Sequence, residues 1–201
     1  MKSEMPSKQV TELLLQSLEH ERGGVQVYEA ALKCVLNEDL KGEWAKYLSQ
    51  TRHHVDVLTD ICTQLGISPD TPSPGAEILR NLGEALVDAM ETASNGEPEA
   101  AQLVACECVV IAETKDHLDW ELIGKCSEQL LKGESARMLR DAYEEIEDQE
   151  DEHLYHSKGW CRELWLESLG MKAVLPPPEE VKQVKSAIGA ARAEMESERT
   201  R

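Results

Sequence analysis

Phenylalanine is missing from the 201-residue chain, so any apolar core has to be built from Leu, Val, Ile, Ala, Met and the four Trp. Basic charge is scarce as well. The formal net charge is −18, and a surface of that sign repels phosphate backbones, which argues against a nucleic-acid partner. It would gather cations, although solubility alone accounts for an acidic surface too. No apolar run approaches the length that spans a bilayer, so no membrane partner is expected. Residues 1–10 are polar and hold no apolar signal core, which gives the expectation of a cytoplasmic protein. The six Cys form no C-x-x-C pair. Most fall inside helical patterns, where buried reduced thiols are the plain reading and a secreted disulfide framework is not. Cys106 and Cys108 are read as core or near-core thiols.

Alternating strand patterns are missing, and helical periodicity dominates. The spacing predicts a first helix over residues 7–35, with Ser7 as N-cap. Its stripe is Val10, Leu14, Leu18, Glu21, Val25, Tyr28, Leu32 and Val35, in steps of three or four that share one face. A second helix is predicted over 39–65, stopped by Gly66, with the stripe Trp44, Tyr47, Thr51, His54, Leu58, Ile61 and Leu65. The segment 66–75, GISPDTPSPG, is a loop by its Pro and Gly content. A shorter amphipathic helix follows over 76–92, inside a long crossover. The third main helix is expected over 99–123, with Leu103, Cys106, Val110, Glu113, His117 and Trp120 facing inward. Gly124 and Gly133 bound the next connection. The fourth helix runs from about Glu134 to just before Gly170, with Leu139, Ala142, Ile146, Glu150, His153, Ser157, Trp160 and Leu164 on its inner face. Gly159 is a potential kink.

Two helices, a long crossover and two more helices make an all-α bundle with one long connection. Helices of about twenty-five residues would be roughly 37 Å long at about 1.5 Å per residue. Residues 1–175 read as the bundle. Residues 176–201 read as a stiff spacer of three Pro and a helical tail over 179–198, with Val181, Val184 and Ile188 on one side. The tail has three options that the sequence leaves open: docking on its own bundle, docking on a second copy in a homo-oligomer, or solvation.

Polar residues interrupt every inner stripe near its middle. They are Glu21 on the first helix, His54 on the second, Glu113 and His117 on the third, and Glu150 and His153 on the fourth. A carboxylate is almost never buried without a partner, and an isolated buried one protonates instead. Three carboxylates and three imidazoles at one level therefore call for a common partner, and a pair of metal ions supplies it. Oxygen and imidazole donors suit iron or manganese. Glu150 and His153 form a Glu-x-x-His motif whose two side chains leave one helix face. Glu21 precedes Tyr28 by seven residues and Glu113 precedes Trp120 by seven, so the two halves of the chain echo each other. His20 and His156 flank the stripes and are assigned to the surface. His53 is a candidate for orienting a ligand.

At these residues the chain resembles the ferritin-like superfamily. The resemblance covers roughly residues 8–169 and implies a four-helix bundle holding two metal ions near its centre. The family carries Glu on the first and third helices and Glu-x-x-His on the second and fourth. By position, Glu21 and Glu113 resemble the single Glu ligands, Glu150 and His153 the fourth-helix pair, and His54 in TRHHVDVLTDICTQLG the second-helix His. The chain departs from the pattern at Thr51, where the family has a Glu, and His117 is the expected substitute ligand. What the resemblance implies is two iron ions, or manganese, with dioxygen or peroxide chemistry such as iron oxidation. Two other classes stand beside it: a metal-free helical scaffold or interaction protein, and an iron store or carrier without turnover.

Overall fold

The computed structural model describes residues 6–200. Among them there are seven helices and no strand. Helix α1 spans Lys8–Cys34 and starts where the Ser7 side chain accepts a hydrogen bond from the Val10 amide. This is the N-cap expected there. Helix α2 spans Glu38–Gln64, capped by Asn37, with Glu38 and Asp39 complementing the dipole of its first turn. Gly66 ends it at φ 74°, a conformation that favours glycine. There the Ile67 amide reaches back to the Cys62 carbonyl at 2.8 Å.

The crossover helix α3, Pro74–Ala93, starts with Pro in its first turn behind the capping Ser73. Helix α4 covers Pro98–Gln129 and α5 covers Gly133–Ser168. Gly124 was expected to end α4, but the helix runs through it. The reason is packing: a Cβ on Gly124 would lie 3.0 Å from the Tyr143 ring of α5. Gly159 does not interrupt α5 either. A Cβ there would meet the Glu179 carboxylate at 2.7 Å, so this glycine lets the tail approach.

The four long helices pack in a closed ring in which α1 touches α2 and α4, and α5 touches α2 and α4. Side-chain pairs fix the directions. Glu21 meets Trp120, while the Leu36 amide meets Gln102, so α1 and α4 are antiparallel. Tyr47 pairs with His156 and His54 with Gln149, so α2 and α5 are antiparallel too. Helix α3 lies outside, against α1 and α4, and its Gly83 faces Gly23 of α1 backbone to backbone.

The tail departs from its sequence reading. Instead of one helix there are a short α6, Pro178–Val181, and α7, Ala187–Thr200. The break centres on Gln183, at φ 51°. It turns Val184 inward, to pack with Leu154, Tyr155 and Ala193, whereas Val181 and Ile188 stay exposed. The shared face of those three apolar residues therefore does not form. Both tail helices pack on α5. Arg162 holds Glu179 through two hydrogen bonds of 2.7 and 3.0 Å, and the Glu163 carboxylate accepts from the Ser197 hydroxyl and the Val174 amide.

The bundle core is split. One apolar cluster joins Tyr28, Trp44, Tyr47, Met90 and Trp160. The other joins Leu14, Leu18, Leu58, Trp120, Ile123 and Ile146. The polar stripe positions lie between them. No described helix is long and apolar enough to cross a membrane. All six Cys are free thiols, and Cys106 and Cys108 are buried.

Candidate metal centre

Between the two apolar clusters, Glu21, His54, Glu113, Glu150 and His153 come together from α1, α2, α4 and α5, each no more than 3% exposed. Their ligating atoms form two overlapping triads, Glu21–His54–Glu150 and Glu113–Glu150–His153, within each of which these atoms lie inside 4.8 Å. Glu150 belongs to both. His54 Nδ1 is 3.3 Å from Glu21 Oε1 and 3.0 Å from Glu150 Oε1. His153 Nδ1 is 3.5 Å from Glu113 Oε2 and 3.6 Å from Glu150 Oε1.

The far side of each imidazole is tied down. His54 Nε2 lies 3.2 Å from Gln149 Oε1, and His153 Nε2 lies 3.0 Å from Gln50 Oε1. An amide oxygen only accepts, so each Nε2 carries the proton and donates. In the neutral ring that leaves Nδ1 as a lone pair aimed at the carboxylates, the arrangement a ligating imidazole needs, and on His54 an incoming cation would displace the second proton that Glu21 and Glu150 favour there. The two glutamines form a crossed pair, each four residues before its own helix's His and bonded to the other's. The aromatics cross as well. Trp120 of α4 donates to Glu21 of α1 at 2.7 Å, and Tyr28 of α1 faces Glu113 of α4. The sevenfold spacings seen in the sequence thus join opposite halves.

The polar atoms left over define the chemistry. Glu21 Oε2, Glu113 Oε2, both Glu150 oxygens, His54 Nδ1 and His153 Nδ1 are buried without a hydrogen-bond partner. Burial raises the Glu113 and Glu150 carboxyls to about 7. It also pushes His153 down to about 4. For His54, burial works downward, but the Glu21 and Glu150 carboxylates outweigh it and raise it well above its ordinary value. So many unpaired buried acceptors in one place are costly. A cation at each triad would satisfy them all at once.

Three assignments change. His117 is outside the cluster: its side chain is 30% exposed and its Nδ1 lies 3.5 Å from Asp151 on the outer side of α5. Asp116, which the sequence reading passed over, is the inward residue, 3% exposed. Its Oδ1 is unpartnered, and burial, followed by the nearby Glu150, Glu21 and Glu113, raises its carboxyl well above the usual range. The signal was present as Cys106, Val109, Glu113, Asp116, Trp120 and Ile123, all buried and spaced by alternating threes and fours. His156 also moves, from the surface to the interior. It is 1% exposed, because the tail covers it and Val184 O lies 3.2 Å from its Nε2. His53 is exposed and pairs with Glu145 at 2.7 Å, away from the centre.

Thr51 occupies the position where a second-helix Glu was missing. Its hydroxyl donates to the Tyr47 carbonyl at 3.0 Å, and its methyl packs towards Gly24 of α1. It offers the cluster nothing. The chain is thus a helical protein with buried carboxylate and imidazole groups close together, and no known family model, curated protein or solved structure matches it.

Proposed function

We propose that this chain is a ferritin-like metalloprotein that binds two ions, iron or alternatively manganese, and uses them in redox chemistry with dioxygen or peroxide, such as iron oxidation. The observation that carries the reading is the pair of triads sharing Glu150, with their facing atoms unpartnered. An all-oxygen-and-imidazole donor set suits iron and manganese. Glu21 and His54 would hold one ion, Glu113 and His153 the other, and Glu150 would serve both. When bound, such ions supply electron transfer to an oxygen species.

The chain's own residues do the rest. Gln149 and Gln50 hold the imidazoles in the ligating tautomer. Trp120 fixes Glu21. Tyr47 lies against His153, ring centroids 4.3 Å apart, and the two apolar clusters keep bulk water from both ends. The acidic surface raises the local cation concentration.

The test is metal content of protein from iron- and manganese-supplemented cells, beside a Glu150→Ala/His153→Ala variant. The expected result is about two ions per chain, lost in the variant, followed by oxygen or peroxide consumption by the iron-loaded protein. Wild-type protein without metal, and a variant with unchanged fold, would overturn the reading and leave a metal-free helical scaffold. Metal bound without any turnover would make the chain a store or carrier.

A further inference from the structure

The five clustered residues are shut inside the bundle, so a cation needs a way in. A cavity reaches one of them, Glu150. It is a cleft of about 220 Å³ between α4 and α5, lined by His117, Trp120, Glu121, Lys125, Tyr143, Glu147, Glu150 and Asp151. Its floor is Glu150, 1% exposed and with both carboxylate oxygens unpartnered. Beside it is Trp120, whose indole holds Glu21. Two other cavities touch none of the five residues. One is a small apolar gap among α1, α3 and α4, and the other lies at the start of α3 against α1.

We propose that the α4–α5 cleft is the entry route for hydrated divalent cations, delivering each ion first to Glu150, and that Glu121, Glu147 and Asp151 are its transit carboxylates. The inference rests on the metal-binding reading above. Four carboxylates against one Lys and one His give the cleft the sign that concentrates cations and excludes anions. Its volume corresponds to about seven waters at roughly 30 Å³ each, room for an ion with its inner hydration shell. The spacing makes a ladder: Glu147 lies one turn before Glu150 and Asp151 on α5, and Glu121 one turn after His117 on α4. The destination matters most. Glu150 is the one residue common to both triads, so an ion that reaches the cleft floor is already at the edge of either site.

His117 takes its place here. It was the expected replacement ligand, yet its ring stands on the cleft wall with Nδ1 3.5 Å from Asp151 and makes an edge contact with the Tyr155 ring, centroids 5.9 Å apart. It borders the path and leaves the ion's final coordination to others. Lys125, exposed at the mouth, is the one fixed positive charge and should slow entry.

Uptake kinetics test the route. Manganese(II) alone is mixed with apo protein and the decay of the free-ion paramagnetic resonance signal is followed, with bound metal then counted at equilibrium. Both Glu121 and Glu147 are exposed, so a Glu121→Lys/Glu147→Lys variant keeps the fold. It is expected to load roughly tenfold more slowly or worse, yet reach the wild-type stoichiometry. Lys125→Glu should load faster. A control of equal charge change at a remote cavity, Asp70→Lys/Glu77→Lys, should load at close to the wild-type rate. A cleft variant that loads as fast as wild type, or slows no more than the remote control, overturns the route while leaving the metal centre intact. Wild-type protein that binds no manganese and no iron at equilibrium overturns the metal reading itself, and the route with it.

Discussion

The α1–α2 half and the α4–α5 half of the bundle repeat one plan. Each brings a Glu on its first helix, Glu21 or Glu113, and a His on its second, His54 or His153. Each sends a Gln across to the other half's imidazole and an aromatic across to the other half's carboxylate. They part most sharply at one position. Where α5 has Glu150, α2 has Thr51, which turns its hydroxyl back to its own helix. The likeness shows that the cluster is built by a crossed reciprocity between halves. The difference shows how one carboxylate comes to serve both triads, and why the second half holds more of the centre. That half also carries the additional inward acid, Asp116, and the docked tail, while α2 has no such cover.

The sharpest way to break the comparison is to remove the shared residue. Glu150→Ala should abolish binding of both ions, whereas Glu21→Ala and Glu113→Ala should each leave about one ion per chain, as counted by elemental analysis. Equal losses in all three variants would mean that the two halves do not bind separately. The crossed glutamines give the next effect. Gln149→Leu should weaken the ion held by His54, and Gln50→Leu the ion held by His153, each by about 10- to 100-fold. Titration with manganese(II) would resolve the two affinities, and the diagnostic outcome is that each change acts on the opposite half.

A third experiment restores the symmetry. Thr51→Glu adds a carboxylate where α1 and α2 are close, for Thr51 Cγ2 would lie 3.3 Å from a Cβ on Gly24. The metal-free variant should therefore lose about 1–3 kcal/mol to overpacking and an extra buried acid. Its melting temperature should then rise further on metal addition than that of wild type. A variant with no change in apo stability would show that the α1–α2 contact is looser than it looks.

The smallest effect concerns His156 on the tail-bearing half. Burial lowers its pKa. The neutral ring donates to Val184 O and accepts from the Tyr47 hydroxyl, at 3.2 and 3.1 Å. Glu152, Glu43 and Lys46 are the charged groups around it. Because the unfolded state takes up the proton first, this residue's contribution is intact above the ordinary His value of about 6.5 and falls away below it. His156→Gln keeps an amide at the site without titrating. Any stability advantage of wild type over the variant should therefore shrink as pH drops from about 8 to about 5, as read by chemical denaturation.

Much of this was legible in the chain. Ser7, Gly66 and the Pro and Gly of 66–75 mark helix ends through local chemistry, and α1, α2 and α4 start within a residue of where the sequence pattern puts them. Every expected inner position of α2 and of α5 is buried. Both are ring helices whose polar outer residues define the buried stripe by contrast. Helix α4 lacks that contrast, since it packs against α1, α3 and α5 together. Its apolar residues lie nearly all round, and two stripes that share Cys106, Glu113 and Trp120 and differ by one residue, about 100°, in between fit equally well. The choice of His117 over Asp116 came from that ambiguity. Gly124 and Gly159 misled for a related reason, because a glycine admitted for close packing looks in sequence like one that breaks a helix.

Local periodicity and capping by themselves determined the all-helical class, the helix order and five of the six polar residues expected to turn inward, because each depends only on neighbours within a few positions. Three matters needed the tertiary structure. One was the pairing of each His with the other half's Gln, residues about a hundred positions apart. Another was the sharing of Glu150 between two triads. The third was the docking of the tail, which buries His156. All three are contacts between elements far apart in the chain, whose partners are set by how whole helices pack and which no periodicity within a single helix encodes.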